Sequence, residues 1–104
     1  MNRILTLAAA SIVALTVSPA FAQTSGAAVY SAKCQMCHGA NGQPTMAGKS
    51  MKALPFNSPE LKKASTASLI AAVTNGKGNM PAYAGKLSAA QISAAVEYIR
   101  TLQK

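Results

Sequence analysis

An all-α fold is what the sequence predicts, on three observations. No stretch alternates apolar and polar residues with the two-residue period of a strand. Several segments open on a hydroxyl cap, and one of them closes on Asn75-Gly76, a helix-stop pair. The one chemically distinctive cluster, Cys34-Gln35-Met36-Cys37-His38, carries the three- and four-residue offsets that a helix gathers on one face.

Taken in order, residues 1–22 read as a secretory signal. Asn2 and Arg3 make a short positive start, Ile4 to Val17 an apolar stretch, and Ala20-Phe21-Ala22 a small-x-small cleavage pattern. The apolar stretch falls short of the about 20 residues a membrane span needs, and an uncleaved anchor is the alternative. The second unit is then one domain, residues 23–104. Its first helix spans Gly26 to Lys33, with Gly26, Tyr30 and Cys34 on one face and Tyr30 expected above the bound group. The turn-rich run from Gly39 to Pro44 reverses the chain. Met46 to Phe56 shows no sustained period and reads as irregular backbone, with Leu54 and Phe56 turned inward.

Ser58-Pro59-Glu60 opens a short helix, with a hydroxyl cap, proline at the first position and an acid in the first turn. Thr66 to Asn75 is a clearer one, capped by Ser65 or Thr66, with Leu69, Ile70 and Val73 as its apolar face. The last helix is the best defined. Ser88 and Gln91 fit a capping box, and Ile92, Val96, Ile99 and Leu102 form the stripe that packs across the first helix.

The pentapeptide carries the chemistry. Two thiols three residues apart with an imidazole directly after the second have the spacing of c-type haem attachment. Cys34 and Cys37 would tether the macrocycle as thioethers, and His38 would ligate its iron. A redox dithiol ordinarily sits in an alternating strand–helix chain, which this is not. A closed zinc site needs four ligands, and the chain has two cysteines and one histidine. A disulfide across so short a loop would stabilise little. Haem would also be the staple for a domain too small to bury a large core, so the haem-free chain is expected to be largely unfolded.

Which group fills the second axial position decides between carrier and enzyme. His38 is the only histidine, which excludes a bis-histidine site within the chain. Methionine, a soft neutral ligand, is the natural candidate. Met36 lies between the cysteines and cannot reach the opposite face. Met46 and Met51 are not sterically excluded. Met80, followed by proline in a loop with Gly76 and Gly78, is the favoured ligand.

Charge bounds the partners. Without Arg3, nine Lys and Arg residues face Glu60 and Glu97, a formal +7. Such a field steers association toward acidic surfaces and makes it salt-sensitive. The lysines are dispersed rather than clustered, which speaks against nucleic acid.

At this point the sequence resembles a known family, the class I c-type cytochromes, and among them the small bacterial and algal monohaem proteins. The likeness covers residues 26–103 and rests on the spacing of Gly26, Tyr30 and Cys34, on Cys34 to Gly39, on Asn79-Met80-Pro81-Ala82-Tyr83, and on Tyr98-Ile99-Arg100. It implies three to four short helices with large loops wrapped around one covalent haem c, His38 and Met80 as axial ligands, and Gly26 meeting Tyr98 where the first and last helices cross. In the family a proline carbonyl often accepts the ligating histidine's proton; here Pro44 and Pro55 are both candidates. Lys49, Lys52 and Asn57 are candidates for the haem propionates.

The function so implied is one-electron transfer between membrane redox complexes, respiratory or photosynthetic, without catalysis or a small-molecule substrate. The protein would be an exported, monomeric carrier in the periplasm, or in the thylakoid lumen if photosynthetic. The alternatives are a haem subunit fed by a dehydrogenase, and a haem enzyme or gas sensor with a labile sixth ligand.

Overall fold

The computed structural model describes Ser25 to Lys104 and, before them, Ser11 alone; the signal reading of residues 1–22 lies outside the described residues. Among the described residues six helices follow one another: α1 (Gly26–Lys33), α2 (Gln35–His38), α3 (Met46–Ser50), α4 (Pro59–Lys63), α5 (Thr66–Asn75) and α6 (Ala89–Thr101). No strand occurs among the described residues, only the isolated bridges Lys77–Met80 and Ala84–Leu87.

Side-chain caps explain where the helices begin. Ser25, Ser58, Ser65 and Ser88 each accept from a backbone N–H of the following first turn, and at Ser88 the Gln91 side chain returns the bond. Of the two caps considered for α5, Ser65 is the one used. The α3 helix corrects the irregular backbone expected from Met46 to Phe56. Thr45 caps it, accepting from Gly48 N–H at 3.2 Å. A five-residue helix is too short to print a period of 3.6 on the sequence, so only its cap could announce it.

The last helix organises the rest, packing most extensively on α1 and next on α5. Ile92, Ala95, Val96 and Ile99 of α6 are buried. The first three join Val29, Val73 and Leu87 in one cluster, and Ile99 joins Tyr30, Cys34 and Phe56 in another. At the α1–α6 crossing Gly26 lies against the Ala94 carbonyl, where a Cβ would overlap that oxygen and stand 3.1 Å from Tyr98 Cβ. Gly26 and Tyr98 therefore do meet at the crossing. Arg100 ties α4 to α6, donating to the carbonyls of Leu61 at 3.5 Å and Ala64 at 2.5 Å. Among the described residues no helix is long and apolar enough to cross a membrane.

Candidate haem site

Cys34 closes α1 and opens the single turn of α2. Its carbonyl accepts from Cys37 N–H at 3.2 Å and His38 N–H at 2.9 Å, so one turn presents both thiols and the imidazole. Both cysteines are free, Cys34 buried and Cys37 half-buried. Burial pushes the Cys34 thiol up to about 11, which leaves it protonated at neutral pH and unlike the activated thiolate of a redox dithiol.

The turn is gripped from behind by α3. Thr45 donates through its backbone N–H to the Cys37 carbonyl at 3.0 Å and through its hydroxyl to the Met36 carbonyl at 2.7 Å. Gly48 approaches the Cys37 carbonyl so closely that a Cβ would overlap it. Thr45 and Gly48 were not singled out from the sequence. The hydroxyl before Met46 is the signal that could have found Thr45; nothing local announces the contact at Gly48.

The turn borders a large cavity of about 1170 Å3, above the roughly 300–1,000 Å3 usual for ligand pockets. Cys34, Cys37 and His38 line it from the motif, and Met80 and Tyr83 from the loop after α5. Leu54, Phe56, Leu61, Leu69 and Ile99 contribute apolar wall. A large apolar cavity with thiols and a ligand nitrogen on its wall fits a flat macrocycle held by iron and thioethers. His38 fits as well. Its ring stacks on Phe56 at 4.7 Å and 23°, and burial lowers its pKa, keeping the imidazole neutral as ligation requires. Its buried Nδ1 has no hydrogen-bond partner, so neither Pro44 nor Pro55 takes the role foreseen for it.

Other expectations shift. Leu54 is 43% exposed, yet it lines the cavity, so it does stand at the site. Tyr30 does not. It is 1% exposed and off the cavity wall, donating to the Gly39 carbonyl at 2.5 Å and packing its ring 5.1 Å from Tyr98 and 6.1 Å from Phe56. It braces the turn beneath the motif because α1 aims its face at α6 rather than at the cavity. Lys52 lines the cavity; Lys49 does not, and Asn57 instead donates to the Lys104 carbonyl at 3.3 Å. Met46 is 86% exposed and off the wall, whereas Met36, Met51 and Met80 lie on it. Of these three only Met80 also packs against a buried cluster.

A helical shell closed around one cavity, with a Cys-x-x-Cys-His turn on its wall, is the frame of a covalent haem protein. Comparison with known proteins makes the class specific. A family described as cytochrome c oxidase, cbb3-type, subunit III, matches residues 21–99. Cytochrome c6 of a Synechococcus strain is 38% identical over 104 residues, covering 95% of this chain and 91% of that protein. Cytochrome c6 of Leptolyngbya boryana is 38% identical over 76 residues, covering 71% of this chain and 85% of its own. The solved structure of the c-type cytochrome KustC0563 superposes with a TM-score of 0.72 at 29% identity, covering 77% of this chain and 99% of that one. The chain belongs to the class I c-type cytochromes. It is a small monohaem electron carrier whose cofactor is haem c.

Proposed function

We propose that Cys34 and Cys37 hold the haem through thioethers, that His38 and Met80 are its axial ligands, and that the domain 23–104 works as an exported, monomeric shuttle between membrane redox complexes. The observation that carries this reading is the shared cavity onto which the Cys34–His38 turn and the Met80 loop both open. When bound, haem supplies a one-electron ferric/ferrous couple. The chain's part is to orient and to exclude water. Thr45 and Gly48 fix the attachment turn, Phe56 fixes the His38 ring, and the apolar wall disfavours the extra ferric charge. No polar distal histidine is available to activate peroxide or a gas, which supports a carrier rather than an enzyme. Export to the periplasm rests on residues 1–22 and on a chemistry made for a compartment where haem is attached after secretion.

Attachment and ligation are tested together. The pyridine haemochrome spectrum and intact mass of protein matured in a competent host should show one haem joined by two thioethers. The oxidised protein should show the near-red absorption band of methionine on ferric haem, and Met80→Ala should abolish it while opening the iron to carbon monoxide. A colourless product of unmodified mass would end the reading, and a band that survives in Met80→Ala would move the ligand to Met51.

Lys33, Lys52 and Lys77 line the cavity with Glu60 as its one acid, so the haem would sit in a positive rim suited to an acidic partner. The oxidase-subunit description of the matching family favours a second reading, a fixed subunit of a larger complex. Ionic strength separates the two. A shuttle should lose bimolecular rate steeply between low and physiological salt, where the Debye length falls to about 8 Å. A salt-independent rate together with a stable high-mass complex would favour the fixed subunit.

A further inference from the structure

Among the described residues, only two hydrogen bonds run from the loop at 76–83 to the first half of the domain, and they leave from either side of Met80. Asn79 Nδ2 donates to the Met51 carbonyl at 3.3 Å, and the Tyr83 hydroxyl donates to the Lys33 carbonyl at 3.1 Å. We propose that Asn79 and Tyr83 are paired positioning residues, two latches that hold the Met80 loop shut against the turn carrying Cys34, Cys37 and His38. The proposal rests on Met80 as an axial ligand.

The loop's remaining bonds cannot do this. Its foot is fixed to α5, Tyr83 N–H to the Val73 carbonyl and Ala84 N–H to the Thr74 carbonyl, both at 3.0 Å. Lys77 and Met80 pair with each other inside the loop, at 3.0 and 3.2 Å. All of these stay on the α5 side of the cavity and would survive if the loop swung outward as a unit. The two latches would break in that swing. Their acceptors are well chosen, since Lys33 immediately precedes the first attachment cysteine and Met51 closes the helix that grips the attachment turn. Tyr83 also packs, with Met80, against the cluster containing Val73 and Val96, so its ring is already held and only the hydroxyl decides whether the far wall is caught. A segment with few tertiary bonds opens locally far more often than the domain unfolds, and tethers at both ends of its tip raise the cost of that opening selectively.

The test uses ferric holoprotein and imidazole, a ligand that must wait for Met80 to leave. Tyr83→Phe and Asn79→Ala should each speed imidazole capture about five-fold, the effect of one modest hydrogen bond. The double variant should approach the product of the two. The near-red methionine band should fade at lower temperature in each, while the global unfolding equilibrium shifts by no more than the same five-fold. Capture at the parent's rate in both single variants overturns the proposal, and so does an equal acceleration in Gly26→Ala, whose strain lies at the α1–α6 crossing away from the loop. Introduced into Met80→Ala, where nothing has to leave, Tyr83→Phe should change capture not at all; a further acceleration there counts against the latch. A parent protein without the near-red band would instead defeat Met80 ligation itself, an outcome read before any variant is made.

Discussion

Made without haem attachment, the chain will show weak far-ultraviolet helicity and no cooperative thermal transition, whereas the holoprotein will melt sharply. The reason lies in how its apolar residues are distributed. Among the described residues, ten buried hydrophobic residues fall into two small clusters, and beside them opens a cavity of about 1170 Å3. Engineered apolar cavities cost roughly 24 cal/mol per Å3. A domain whose whole stability is about 5–15 kcal/mol cannot keep a hole of this size open and dry. If it collapses, Phe56, Leu61, Leu69 and Ile99 lose the geometry that placed them around it; if it floods, their apolar surface stays wet.

The helices cannot stand in for the missing core. Among the described residues the longest has 13 residues and three have five or fewer, and isolated helices shorter than about 12–15 residues are marginal in water. Haem would fill the volume and, on the proposed attachment and ligation, cross-link residues 34 and 37 and tie residue 38 to residue 80, so its binding free energy is folding free energy. Circular dichroism and hydrogen exchange on the two forms provide the check. A native-like cooperative melt of the haem-free chain would show that the polypeptide alone specifies the shell.

How much of this was legible depends on whether the signal was local. Ser58, Ser65 and Ser88 announced their helices because a cap acts within four residues. The Cys34–His38 turn was legible because two thiols and an imidazole at helical offsets have few other uses, and the Cys34 carbonyl does gather Cys37 and His38 on one turn. Thr45 was legible in principle, but the five-residue helix it starts is shorter than two cycles of the 3.6-residue period. Tyr30 was misplaced for a different reason. Its spacing to Cys34 correctly put both on one face, yet spacing cannot say what stands opposite, and α6 stands there rather than the cavity. The Nδ1 of His38 shows the same boundary, since the position of an acceptor is set by the path of the whole chain, and neither proline's distance along the sequence could fix it. Leu54 was judged correctly only if exposure toward a cavity is distinguished from exposure toward bulk water.

The helix crossing gives the second large effect. Replacing Gly26 with alanine will destabilise the holoprotein, and replacing it with valine will do so by about 3 kcal/mol or more, at the upper end for overpacked sites. For a domain of this size that corresponds to a fall in Tm of more than about 10 °C. Intrinsic propensity argues the opposite sign, because alanine in a helix is worth up to about 1 kcal/mol over glycine. Packing wins here because the obstruction is the Ala94 carbonyl, part of a hydrogen-bonded helix backbone that no rotamer change can move aside. Relief must come from parting α1 and α6, the most extensive contact among the described helices. That separation would also pull Tyr30 from Tyr98, now 5.1 Å apart, and withdraw its hydroxyl from the Gly39 carbonyl behind the attachment turn. Thermal melts of holoprotein samples matched for haem content measure the effect without confusing it with poor maturation. An unchanged or raised Tm in Gly26→Ala would mean that the crossing yields cheaply and that helix propensity, not contact at Ala94, governs this position.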